Sequence, residues 1–225
     1  MKNKAFRALT VSTVIIAIIN LAASIIYILT MPDKVPLHYN AKGICDGYGS
    51  KWFLLILPLM LLIVFPIGLY ATSKSKNIEK NMKPMTICLI FIEAYLVFMN
   101  WLILISLNTE SGLGDKMSVN ISLVIPIVLS IMFIIMGNYM PTIRQNKNLG
   151  IKLPWTLKNE RCWDVTHRFA GKVWVAVGII TLLIVTVLAL ARPTDEPWLY
   201  IALTIIPFTF AVIIPTVYAY QHRND

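Results

Sequence analysis

The chain has 225 residues, 57% of them hydrophobic and 14% charged, with a mean hydropathy of +0.71. A water-soluble domain is nearer to about half apolar and a quarter charged, so the composition excludes an ordinary soluble globular protein and points to an all-α, polytopic membrane protein. The formal net charge of +9 is dispersed over several connectors, which excludes direct nucleic-acid binding and marks membrane topology instead.

The first apolar run, 8–30, follows Lys2, Lys4 and Arg7. It is longer than the roughly 7–15 residues of a signal-peptide core and ends in no small-residue cleavage site, so it reads as an uncleaved helix. Asn20 lies near its mid-depth. Five further runs follow at 52–72, 85–107, 119–140, 173–191 and 198–220. At about 1.5 Å rise per residue each covers the roughly 30 Å hydrocarbon core. The even-numbered runs carry Pro58 and Pro66, Pro126, and Pro207 and Pro215. Two readings stand: proline is common in membrane helices, or three helical hairpins form a weak internal repeat of the kind transporters use.

Fifteen Lys and Arg fall at the N-terminus, in the second and fourth connectors and in the tail, against five (Lys34, Lys42, Lys51, Lys116, Arg192) in the first, third and fifth connectors. The positive-inside rule then predicts a bundle of six transmembrane helices with both termini cytoplasmic. Connectors 73–83, 108–118 and 192–197 read as plain links. Cys45, Cys88 and Cys162 fall at three depths, so neither an intrachain disulfide nor a metal site is expected.

The first outer connector, 31–51, is richer. Two prolines, Pro32 and Pro36, stiffen it, and Gly43, Gly47 and Gly49 permit tight turns. Between them stand His38, Tyr39, Asn40, Asp46 and Tyr48. These groups either recognise a peptide or polar ligand or form a compact turn with interfacial aromatics. His38 and Asp46 are too few ligands for zinc.

The fourth connector interleaves Arg144, Lys147, Lys152, Lys158, Arg161, Arg168 and Lys172 with Trp155, Trp163 and Phe169. It is too long for a simple link and too aromatic for disorder. Pro154 forces an extended approach, and Asn159 is placed to cap a helix running through Trp163 into the fifth span. Trp163, Thr166, His167 and Ala170 share one face of that helix. Asp164 and Arg168 are spaced as an i,i+4 pair. The segment reads as an amphipathic helix at the inner leaflet or as a docking surface for a cytoplasmic partner. Cys162 and His167, five apart, do not make a nucleophile pair.

Within the third span, Glu93 is an ionisable group near mid-depth, a placement that costs about 2.5–3.5 kcal/mol on insertion scales. Asn100 lies on roughly the same face, and Asn20 is a candidate partner. Glu93 is either hydrogen-bonding glue between helices or a proton- or ligand-handling group. No HExxH, Walker loop or GxSxG is present, so neither enzymatic activity nor a cofactor is expected.

Asn148-Leu149-Gly150-Ile151-Lys152-Leu153-Pro154-Trp155-Thr156, with Trp163, Thr166, His167, Arg168 and Gly171, resembles the signature of the SdpI-type immunity family. Pro36, His38, Asn40, Gly43, Asp46 and Tyr48 resemble the domain of unknown function that precedes it in longer members. Leu153 departs from the pattern, where a small hydroxyl residue is expected. The resemblance implies an N-terminal membrane region, 1–118, and an SdpI-like membrane region, 119–225. It further implies a multi-pass protein of the bacterial plasma membrane that protects against a secreted peptide toxin. A possible cytoplasmic partner follows from it as well, a winged-helix repressor held at the membrane. The alternative from a different class is a small proton-coupled transporter using Glu93.

Overall fold

The structure, a computed structural model, describes residues 2–40, 44–73, 78–108, 121–191 and 197–224. Its elements are α1 (Lys2–Leu29), the strands β1 (Lys34–Tyr39) and β2 (Cys45–Ser50), and the helices α2 (Ile56–Ser73), α3 (Ile78–Asn108), α4 (Ile121–Tyr139), α5 (Pro154–Lys158), α6 (Glu160–Ala191) and α7 (Pro197–Gln221). Six of the helices are long and apolar enough to cross a bilayer. Their outward faces carry residues such as Ile19, Ile26, Leu190 and Ile205, all at least 60% exposed. Continuous apolar surface of that kind is a liability in water and is the natural surface toward lipid. The protein is an all-α polytopic membrane protein with one small β-hairpin.

Contacts divide the chain into two units: 1–71 with 90–122 and 195–198, and 72–89 with 123–194 and 199–225. The boundary expected at 118/119 lies outside the described residues. Residues 72–89 group with the second unit, where Asn81 is tied to Arg144.

In the first unit, α1 and α3 run side by side along a seam of small and polar residues. Thr13, Ala17, Asn20 and Ser24 are buried on α1, and Glu93 and Asn100 on α3. Small side chains let membrane helices approach closely. Asn100 Nδ2 donates to Ser24 Oγ at 2.9 Å and lies 3.5 Å from Asn20 Oδ1, which also accepts from Trp101 Nε1 at 3.0 Å. Asn20 is therefore the partner of Asn100 and Trp101, not of Glu93 as the sequence suggested. At the far end of the seam Ile28, Met31, Val35, Leu104 and Leu107 form an apolar plug.

In the second unit, α4 and α6 meet at glycines. A Cβ on Gly178 would lie 2.7 Å from the Ser130 carbonyl oxygen and 2.7 Å from Ile134 Cγ1, so only glycine permits this approach. Pro215 lies inside α7 and cannot supply the N–H that would bond the carbonyl four residues earlier. That carbonyl belongs to Ala211, fully buried, and Trp174 Nε1 of α6 donates to it at 2.9 Å. A neighbouring helix thus satisfies the group that proline frees. Proline also occurs in an odd-numbered span: α3 starts well before its apolar run and contains Pro84.

Replacing Trp174 with Phe keeps the ring and removes the donor, and we expect a loss of about 1–3 kcal/mol for the orphaned carbonyl. In a Pro215→Ala background, position 215 regains an N–H and Trp174→Phe costs less. Thermal unfolding of the four variants in detergent measures that coupling; equal costs in both backgrounds would refute it.

Candidate functional site

Within the first connector β1 (Lys34–Tyr39) and β2 (Cys45–Ser50) form an antiparallel hairpin. Lys34 pairs with Ser50, Val35 with Gly49, Pro36 with Tyr48, His38 with Gly47 and Tyr39 with Cys45, with irregularities on either side of His38. The expected turn-rich connector is thus a β-structure. Its strands escaped notice because Pro36 and the glycines that read as turn residues lie inside them. Glycine at 47 leaves room for the opposite strand, since a Cβ there would lie 3.1 Å from His38 Cβ.

The hairpin is anchored at its base. Val35 is fully buried in the apolar plug. Lys51, only 8% exposed, donates from Nζ to the Met31 carbonyl at 2.9 Å and lies 3.3 Å from Asp33 Oδ1. No local sequence pattern marks this lysine as buried. At the exposed part of the hairpin, His38 Nδ1 and Asp46 Oδ1 are 2.5 Å apart. Tyr48 is 55% exposed and Pro36 is buried. The Asn40 N–H donates to the Ile44 carbonyl at 2.9 Å, and its Oδ1 accepts from the Ile44 N–H at 3.2 Å. Gly43 lies outside the described residues. The hairpin therefore displays His38, Asp46 and Tyr48 on a base that cannot tilt without disturbing α1 and α3.

Residues 140–159 fold back on the start of α6. Asn159 caps that helix as expected, accepting from the Arg161 N–H at 2.9 Å and the Cys162 N–H at 3.1 Å. The anticipated face, Trp163, Thr166, His167 and Ala170, is buried throughout. Trp163 Nε1 donates to the Ile143 carbonyl at 2.8 Å. His167 stacks on Trp163 with ring centroids 4.0 Å apart. Its Nδ1–H donates to the Trp163 carbonyl at 2.8 Å, and its Nε2 accepts from the Ile151 N–H at 3.0 Å. One imidazole thereby holds both the helix and the connector, and this bonding specifies the neutral Nδ1–H tautomer.

Gly150 lies against that pair. Its φ of +111° is in the region that favours glycine, and a Cβ would collide with His167 Nε2 and come within 3.0 Å of the Trp163 ring. Thr156 is fully buried; its hydroxyl accepts from the Leu153 N–H at 2.9 Å and donates to the Ile151 carbonyl at 2.7 Å. Leu153 occupies the N-cap of α5, with Pro154 at the first helical position. A small hydroxyl residue there would cap the helix, so the departure at Leu153 removes a cap and leaves Thr156 to serve its N–H. Asn146 Oδ1 accepts from the N–H groups of Asn148 and Leu149, and Lys152 Nζ donates to the Asn148 carbonyl at 3.2 Å. Trp155 packs edge-on against Tyr220 with its Nε1 buried and unbonded among the described residues, as is Thr166 Oγ1.

Asn81 is a second group that sequence reasoning missed, in a connector read as a plain link. Its Nδ2 donates to the Arg144 carbonyl at 2.9 Å and its Oδ1 accepts from the Arg144 N–H at 2.7 Å. The Arg144 guanidinium lies 3.6 Å from Asp164, so the ion pair on Asp164 reaches across the connector. Lys152, Pro154, Lys158, Arg161 and Arg168 remain exposed. Cys162 is fully buried, its Sγ 3.5 Å from the Ala219 carbonyl oxygen, which makes it packing and not a reactive thiol. Among the described residues no group of three or more His, Cys, Asp or Glu is placed to hold a metal ion.

Gly150→Ala forces the Cβ against His167 and strains the backbone, and we expect it to lower the unfolding midpoint by several degrees, about 1–3 kcal/mol. His167→Ala removes the acceptor for the Ile151 N–H and destabilises alone by a similar amount. The two losses add to less than their sum in the double variant, because the smaller side chain relieves the clash. Strict additivity in thermal unfolding would show that the residues do not meet.

Comparison with known proteins covers both regions of the chain. Residues 142–219 match the SdpI/YfhL protein family, and residues 15–62 match a domain of unknown function (DUF1648). The first match spans the folded connector with α6 and most of α7; the second spans most of α1, the hairpin and the start of α2. No solved structure matches the chain. The chain is 30% identical over 211 residues to the Immunity protein SdpI of Bacillus subtilis (strain 168), a similarity covering 93% of this chain and 93% of that protein. With six apolar helices and similarity along nearly its whole length, the chain is a multi-pass protein of the bacterial plasma membrane and belongs to the SdpI family.

Proposed function

We propose that this chain is an integral membrane immunity protein that protects its cell against a secreted antimicrobial peptide. The observation that carries the reading is the similarity to an immunity protein over 93% of the chain. The distribution of Lys and Arg supports an orientation with both termini cytoplasmic. The hairpin then faces the medium and offers His38, Asp46 and Tyr48 to the peptide. The connector 140–159 faces the cytosol, where its exposed rim of Lys152, Pro154 and Arg168 meets a winged-helix repressor. Buried Trp163, Thr166 and His167 act as the frame of that surface, not as its contacts. The bilayer is the third partner.

Expression in a peptide-sensitive bacterium should raise survival by orders of magnitude on challenge with a related secreted peptide. Unchanged killing with the protein present in the membrane would overturn the reading. Charge reversal at Lys152 and Arg168 should leave protection intact and abolish release of repression, read from a reporter gene; an unaltered reporter response would remove the rim from the signalling route.

The orientation has its own test. Cys45 is partly exposed, and a membrane-impermeant maleimide added to intact cells should modify it. Labelling only after cells are opened would reverse the sidedness. Buried Cys162 should resist the reagent in either case until the protein is denatured.

A further inference from the structure

Glu93 is the centre of the third candidate span, Glu79–Leu107, and is 4% exposed. Its Oε1 is buried without a hydrogen-bond partner among the described residues. Glu93 lines a groove of about 550 Å³ between α1 and α3, together with Ser12, Thr13, Ile16, Val97 and Phe98. That volume suits a small ligand. The Ser12 hydroxyl donates to the Leu9 carbonyl at 2.9 Å and the Thr13 hydroxyl to the Thr10 carbonyl at 3.0 Å. Both hydroxyl protons are thus committed to their own helix, and what these residues offer the groove is acceptor lone pairs. Among the described residues no Lys, Arg or His lines it. The groove is therefore rich in acceptors, poor in donors and otherwise walled by hydrocarbon.

A buried carboxyl in such a place is costly unless a donor or cation meets it. An alkylammonium carries three N–H donors and one positive charge, which matches one carboxyl and two hydroxyl oxygens. Its hydrocarbon tail suits the walls.

We propose that the groove between α1 and α3 is an intramembrane binding site for a lipophilic primary amine. The ammonium donates to Glu93, Ser12 and Thr13, and the alkyl chain lies along Ile16, Val97 and Phe98. This site is separate from the hairpin and from the folded connector, and it does not depend on the immunity reading.

The test uses the full chain in nanodiscs of neutral phosphatidylcholine, with dodecylamine as the probe. Dicyclohexylcarbodiimide, a lipid-soluble carboxyl reagent, should convert Glu93 to its N-acylurea, as read by mass spectrometry, and dodecylamine should protect it saturably. Protection leaves a free carboxyl, with neither the N-acylurea nor the dodecylamide that the amine would form by displacing dicyclohexylurea from an activated carboxyl. Dodecyltrimethylammonium has the charge and no N–H, and dodecanol has the chain and no charge; each should protect at least about tenfold less well, since a hydrogen bond to a charged group contributes about 1.5–3 kcal/mol. Glu93→Gln should lose the modification. The Ser12→Ala, Thr13→Val double variant should keep it while raising the half-protecting dodecylamine concentration about tenfold. If Glu93 is never modified, the groove is closed to lipid and the proposal fails. Equal protection by the amine, the quaternary cation and the alcohol would reduce the effect to partitioning and overturn the proposal. Unaltered amine protection in the double variant would also overturn it.

Discussion

The Ile151 N–H ends on Nε2 of His167, and the bond illustrates the constraint that shapes the second unit. A backbone N–H or C=O that leaves regular structure in or beside a bilayer has to find a partner within the protein. The connector 140–159 is irregular over 143–153, so it presents many such groups. The chain meets them with side chains that bond twice. His167 takes an N–H and gives to a carbonyl, Thr156 does the same, and Asn81 takes both groups of Arg144. The same rule appears at Ala211, where Trp174 serves the carbonyl that Pro215 abandons. In the first unit Lys51 reaches back to Met31. Each bond contributes about 1 kcal/mol net, and each buried group left unbonded costs more than that.

This accounting changes the meaning of the motif. Gly150, Thr156, Trp163 and His167 are the connector residues with the least freedom, since each one bonds a backbone group or makes room for a side chain that does. A motif of this type specifies a shape. What that shape leaves accessible is the basic rim outside the buried face. The hairpin follows the same logic, with Val35 and Lys51 holding its base while His38 and Asp46 stand in solvent.

Much of this was legible in the sequence, and what was not has definite causes. Long apolar runs announce membrane helices because lipid demands continuous hydrocarbon. The Asn159 cap and the face through Trp163 and His167 follow from local helical geometry, so they too could be read. Hydropathy reports contact with lipid, not helicity, so it missed the polar beginning of α3 and with it Pro84. The hairpin was hidden because Pro36, Gly47 and Gly49 sit within its strands, where they signal turns. Asn81 and Arg144 are 63 residues apart, and no local pattern links them. Asn20 was matched to Glu93 on depth alone, whereas rotation about the helix axes decides which polar groups meet.

The seam between α1 and α3 shows why that rotation matters. Membrane helices gain nothing from hiding apolar surface from lipid, so their association rests on close packing and on paired polar groups. The level of Asn20, Ser24, Asn100 and Trp101 supplies both. Glu93 lies seven residues before Asn100, about two helical turns. At that level the helices present a carboxyl oxygen with no bond among the described residues. An apolar side chain would join the two helices there at lower cost. Pairing with Asn100 explains the asparagine in α1 and leaves Oε1 of Glu93 unbonded among the described residues, which is the acceptor the proposed amine would meet from the membrane.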